Sequence, residues 1–246
     1  MALHFLVGAV AGAAGAVVAA DVYPDLVPSL GLTKPKQIEL TYFDISGVAE
    51  KIRMTLLMGG VPFKDTRVQF SEWAAMKSTT PFGQLPLMTV DGKQYAQSGA
   101  MLQFAGKLSG LLPKDPYKAL RVDEAVGLDE DLRGKIRPSI YVGMDKTLSD
   151  RVKQAKVKEM RAELTAVHIP FYLGHFEKML EGSEYLAGDK PTIADAQLLT
   201  TLRWLSSGNL DHIPAECVDG FPKVKALKEK MEAEPAVAAY IESLRK

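Results

Sequence analysis

Two hydroxyl side chains, Tyr42 and Ser46, stand four residues apart where an extended run meets a glycine at position 47. A hydroxyl placed there can donate a hydrogen bond to an anion that develops beside it. Taken alone, a strand tyrosine is more commonly a core residue. Gln97-Ser98 begins a helical pattern, and the free N–H groups of a helix start suit a carboxylate. Trp73 and Lys77 lie on a short predicted helix, with Gln84-Leu85-Pro86 following. Separately, Lys77 reads as a solvated charge and Trp73 as packing. Other chemistries are excluded more easily. Cys217 is the only cysteine, so no intramolecular disulfide and no Cys-x-x-Cys redox centre can form, and a reducing compartment fits. His168 and His175 could share a helix face, but two imidazoles do not make a metal site. Lys+Arg and Asp+Glu are both 30, which gives no electrostatic case for nucleic acid.

The elements that must position these residues follow from periodicity. Gln37 to Phe43 alternates and carries Ile, Thr, Tyr and Phe, so it predicts a strand. Gly47 to Gly60 spaces Val48, Ile52 and Leu56 as a helix. Thr66 to Phe70 predicts a second strand. Ser71 to Ser78 predicts a short helix with Ser71 as its N-cap and Glu72 in its first turn. Leu87 to Val90 and Lys93 to Ala96 flank Asp91-Gly92, a tight hairpin turn. Ser98 then caps a helix to about Leu108. The order is βαβ followed by ββα. Beyond Lys114-Asp115-Pro116 the pattern is helical throughout. One long helix runs from Pro116 to about Met144, with a possible kink at Pro138. Another segment, Ser149 to Glu181, should be interrupted near Pro170. Thr192 and Asp195 have capping-box spacing.

Residues 2–20 are apolar apart from His4, and Gly8 and Gly12 form a Gly-x-x-x-Gly pair. The run is near the ~20 residues that span a bilayer. No Lys or Arg precedes it, and Lys34 and Lys36 follow, which points to an uncleaved anchor with the folded part in the cytosol. The alternative is a leader cleaved near Ala20, leaving a cytosolic, secretory or organellar protein. The chain thus divides into a hydrophobic segment and linker (1–33), a mixed α/β unit (34–112) and an all-helical unit (113–246).

Leu40-Thr41-Tyr42-Phe43-Asp44, Trp73 to Lys77, Pro81-Phe82-Gly83-Gln84-Leu85-Pro86 and Gln97-Ser98 together resemble the glutathione transferases, most closely the tyrosine-type sigma class. The resemblance implies an α+β fold: a thioredoxin-like N-terminal domain followed by an all-helical domain, in which Gly188 to Asp195 is a structural folding element. It implies that glutathione is the substrate and that no metal takes part. A free thiol has a pKa of about 8.5, and the Tyr42 hydroxyl is expected to stabilise the thiolate. The resemblance also implies a cis Pro86 with Leu85 pairing to the cysteinyl backbone. It assigns Gln97 and Ser98 to the γ-glutamyl carboxylate, and Trp73, Lys77 and Gln84 to the glycyl end. Asp131, in Asp129-Glu130-Asp131, would reach the partner subunit of a homodimer.

Two departures stand out. Val48 replaces an arginine that the family usually carries beside the tyrosine, and Arg53 is expected to point away as a structural residue. Ser46 lies where related transferases use a serine, and is the alternative sulfur donor. The electrophile pocket is expected between the two halves, lined by residues 132–144 and the chain's tail. The expected function is therefore glutathione addition to small hydrophobic electrophiles; the alternative is a structural subunit with little or no turnover, such as part of a membrane complex.

Overall fold

The computed structural model describes residues 35–244. The apolar run expected to act as an anchor or leader lies outside the described residues.

Four strands form one sheet in the order β2-β1-β3-β4. β1 (Ile38–Phe43) is followed by a 3₁₀ turn, Gly47–Ala49, and α1 (Glu50–Met58). β2 (Lys64–Val68) pairs parallel to β1, and α2 (Trp73–Met76) follows it. β3 (Leu87–Val90) lies antiparallel to β1, and β4 (Lys93–Tyr95) antiparallel to β3. The turn between them takes φ 47° at Asp91 and 82° at Gly92, the two positive values a tight hairpin turn needs. α3 (Ser98–Ser109) closes the unit. Alternation along β1 turns Ile38, Leu40 and Tyr42 into a core with Ile52, Leu56, Met101 and Ala105. The opposite face carries Phe43, stacked on Phe70 at 4.4 Å and edge-on to Trp73 at 5.8 Å.

The second half is built on α4 (Pro116–Met144), α5 (Asp150–Glu163), α6 (Ile169–Met179), α7 (Ile193–Leu205), α8 (Pro222–Ala233) and α9 (Pro235–Ser243). Asp115 caps α4 by accepting the Lys118 N–H at 2.8 Å. α7 is buried along almost its whole length, as a helix at the centre of a bundle must be. The Thr192–Asp195 capping box is present. The Asp195 carboxylate also accepts the Leu186 N–H at 2.9 Å, which ties the preceding loop to the helix start. Burial pushes the Asp195 carboxyl up, against the hydrogen bonds that favour its charge.

The halves meet at α3 and α7 without space to spare. A Cβ added to Gly106 would lie 2.5 Å from Ile193 Cγ2. Met54 and Leu102 reach out of the first half into the helical core, and Lys51 Nζ contacts Glu130 Oε1 at 2.5 Å.

Several expected boundaries move. β2 is Lys64–Val68, not Thr66 to Phe70, because its register follows β1 and Phe43 pairs with Val68; Phe70 lies beyond the strand and stacks on Phe43 instead. Ser71 is not a cap. The Glu72 carboxylate accepts the Gln69 N–H at 2.8 Å, and the helix starts at Trp73. Ser98 is the first residue of α3, and Gln97 takes the cap position at φ 76°. The interruption near Pro170 is a π turn, Leu164–His168, which carries α5 into α6. A wider turn absorbs the missing proline N–H without ending the helix.

Candidate functional site

Tyr42 lies one residue before the end of β1, only 8% exposed. Gly47 passes over its ring: φ is +48°, and a Cβ there would stand 2.6 Å from the Tyr42 hydroxyl. Only glycine satisfies both the backbone angle and the contact. The backbone N–H of the next residue, Val48, faces the hydroxyl and favours its charged form. Burial pushes the Tyr42 phenol above its ordinary value, opposed by the Val48 amide and by the charges of Arg53 and Arg133. At neutral pH the group is therefore a neutral phenol. Its O–H proton is available to a ligand.

Arg53 does not point away, as the sequence suggested. Its guanidinium carbon lies 5.9 Å from the Tyr42 ring centroid. The side chain is fully buried, with Nη1 3.0 Å from Glu50 and Nε 3.0 Å from Asp65. Nη1 also donates to the carbonyls of Ile45 at 3.1 Å and Ser46 at 3.2 Å. It therefore fixes the loop that carries Ser46 and Gly47. The Val48 side chain packs against the sheet core that includes Tyr42 and lines the cavity beside it, supplying neither charge nor a donor.

A cavity of about 570 Å³ opens beside Tyr42 and Ser46. Its far wall comes from α4, through Arg133, Arg137, Ile140 and Tyr141, and from α7, through Thr200 and Trp204. The tail helix α9 does not line it, contrary to expectation; Asn209, after α7, does. Tyr240 of α9 is instead tied to the sheet half, donating to Glu50 at 3.2 Å and accepting from Arg67 at 3.3 Å. The residues missed from sequence are Thr200, Trp204 and Asn209, which only long-range packing brings here. The i, i+4 series Asp129, Arg133, Arg137 was the available signal for a charged face on α4.

The other expected residues do not line this cavity. Lys77, Gln84 and Gln97 are exposed on the sheet half, and Ser98 and Leu85 half-buried. The Leu85–Pro86 bond is cis. Gln97, at φ 76°, is one of few non-glycine residues in that region, a conformation that concentrates at functional sites. Trp73 packs edge-on to Phe43. Asp131 is exposed and lines a separate open hollow with Phe171, Tyr172 and His175. Its neighbours turn the other way: Asp129 binds Arg133 at 2.8 Å and Glu130 binds Lys51. Among the described residues no group of three or more His, Cys, Asp or Glu could hold a metal ion.

Residues 38–107 match the glutathione S-transferase N-terminal domain, and residues 144–244 the C-terminal domain. Glutathione S-transferase 1 of Ascaris suum is 37% identical over 168 residues, 68% of this chain and 79% of the relative. The chain belongs to the glutathione S-transferase family. Among solved members, the prostaglandin synthase D of Nilaparvata lugens superposes with a TM-score of 0.73 at 31% identity, covering 84% of this chain and 97% of that one. A transferase of the hookworm Necator americanus, described as monomeric, superposes at 0.69 with 33% identity, covering 84% and 97%.

Proposed function

We propose that this family member is a tyrosine-type, sigma-like glutathione transferase, in which the Tyr42 hydroxyl donates to the sulfur of glutathione and the thiolate attacks a small electrophile in the adjoining cavity. The observation that carries this is the placement of Tyr42: a buried, neutral phenol at a cavity wall, closely covered by Gly47. A neutral phenol placed that way has its O–H to donate to an anion that arrives beside it. Gln97 and Ser98, at the start of α3, would receive the γ-glutamyl carboxylate; Leu85 and Pro86 the cysteinyl backbone; Trp73, Lys77 and Gln84 the glycyl end.

Asp131 lines a separate hollow and not Tyr42's cavity, so its part in a site would be played toward a second copy. A homodimer through the face bearing Asp131 and the exposed Phe171 is therefore part of the proposal. Since one hookworm relative is described as monomeric, sedimentation at micromolar concentration is the direct check. Among the described residues no helix is long and apolar enough to cross a membrane. The proposal of an anchor at residues 2–20, with the folded part in the cytosol, rests on the sequence alone. Alkaline extraction of membranes from cells expressing the full chain tests it.

The decisive experiment pairs two substitutions. Tyr42→Phe should lower kcat/KM for glutathione conjugation by about 10²–10³-fold and shift the pH dependence of turnover upward. If Tyr42→Phe is silent while Ser46→Ala removes turnover, the serine takes over the role. Gln97→Ala with Ser98→Ala should weaken glutathione affinity with the melting temperature unchanged; equal affinity would displace the γ-glutamyl end from α3.

A further inference from the structure

We propose that the electrophile cavity selects acceptors that join an apolar body to a carboxylate, and that Arg137 receives the carboxylate. This rests on the transferase reading above. Beside the cavity three cations, Lys51 of α1 and the cavity-lining Arg133 and Arg137 of α4, share two carboxylates of α4. Asp129 is committed to Arg133, Oδ2 to Nε at 2.8 Å, and the same oxygen accepts from Gln197 at 2.8 Å. Arg133 is buried and also donates to the Thr200 hydroxyl. Glu130 is committed to the buried Lys51 at 2.5 Å, while its other oxygen is 3.9 Å from Arg137. Burial alone would raise the Glu130 carboxyl, yet Lys51, Arg133 and Arg137 together hold it below its ordinary value.

The unmatched positive charge thus falls on Arg137. Its side chain is 46% exposed, and it makes no hydrogen bond among the described residues. The remaining carboxylate on the wall, Glu50, is already bonded to Arg53 at 3.0 Å and to the Tyr240 hydroxyl. Ile140 and Trp204 line the same cavity and can take the apolar body. A planar guanidinium with free N–H groups pairs with a carboxylate through two parallel bonds.

An α,β-unsaturated ketone makes the balance simple. The thiolate sulfur bonds to the β-carbon, the C=C π pair moves to the enolate, and the thiol's proton ends on the α-carbon. No oxidant or reductant is needed. The test uses trans-4-phenyl-3-buten-2-one carrying a para-carboxylate, and its methyl ester, with each kcat/KM divided by the uncatalysed rate. The acid should be preferred by roughly five- to tenfold, a factor of ten being about 1.4 kcal/mol. Arg137→Met should bring the ratio to near one, and salt at about 0.5 M should shrink it. A ratio of one in the unaltered chain, with both compounds turned over, overturns the proposal.

If neither compound is turned over, the transferase reading fails on its own. Calorimetric binding of the two finished conjugates then decides the present inference. Tighter binding of the acid's conjugate, lost in Arg137→Met, supports it; equal binding in both chains overturns it.

Discussion

Arg53 of the sheet half and Arg137 of the helical half are compensated in opposite ways. Arg53 is fully buried and meets two carboxylates and two carbonyls within 3.2 Å. Arg137 is half-exposed, and its one carboxylate neighbour is 3.9 Å away and already held by Lys51. The first charge is consumed by the fold and positions a loop. The second remains available to a ligand. Arg137 lines the cavity and Arg53 does not; the number of partners separates them further.

The largest effect should come from emptying the saturated site. Arg53→Met leaves the buried Glu50 without its cation and frees the loop carrying Ser46 and Gly47. Breaking such a pair costs about 3–5 kcal/mol, read as a fall in the denaturation midpoint. Arg137→Met should move the same midpoint by no more than about 0.5 kcal/mol. Equal losses would dissolve the contrast between the two arginines.

Gly47→Ala separates position from stability. The new Cβ would press on the Tyr42 hydroxyl, and a misplaced donor can cost about 10²-fold in rate. The fold should lose about 1–2 kcal/mol for the left-handed backbone, and about 1–3 kcal/mol more as the Tyr42 ring is displaced. A full-rate Gly47→Ala protein would show that Tyr42 is not the donor.

A further effect concerns pH. Burial, and next the Glu50 charge, push the Tyr240 phenol up to about 12, against about 10 in an unfolded chain. Between those values the unfolded chain has lost its proton while the folded one keeps it. Stability is therefore complete below pH ~10 and falls as pH rises toward about 12. Tyr240→Phe should flatten that limb of a melting-temperature profile. It should cost about 1 kcal/mol at neutral pH through its lost hydrogen bonds.

Much of the frame was legible locally. Alternation gave β1, Asp91-Gly92 gave the hairpin, and Thr192 with Asp195 gave the start of α7, because each depends on residues within one turn or one strand. β2 slipped by two residues because its ends are set by pairing with β1. Pro170 was read as a break because a proline's missing N–H says nothing of whether a π turn will absorb the gap. At the site, Tyr42 and its glycine were visible in the sequence. The approach of Arg53 to that ring was not, because it depends on how α1 packs against the sheet. Thr200 and Trp204 lie more than 150 residues from Tyr42 in the chain, and no local pattern connects them to it.

The Val48 amide beside Tyr42 bears on how this site tolerates change. The donor is a peptide N–H, which nineteen of the twenty residues possess, so random substitution at position 48 leaves it in place. Only proline, which has no N–H, would remove the contact in a single step; drift at this codon is otherwise nearly silent for the phenol.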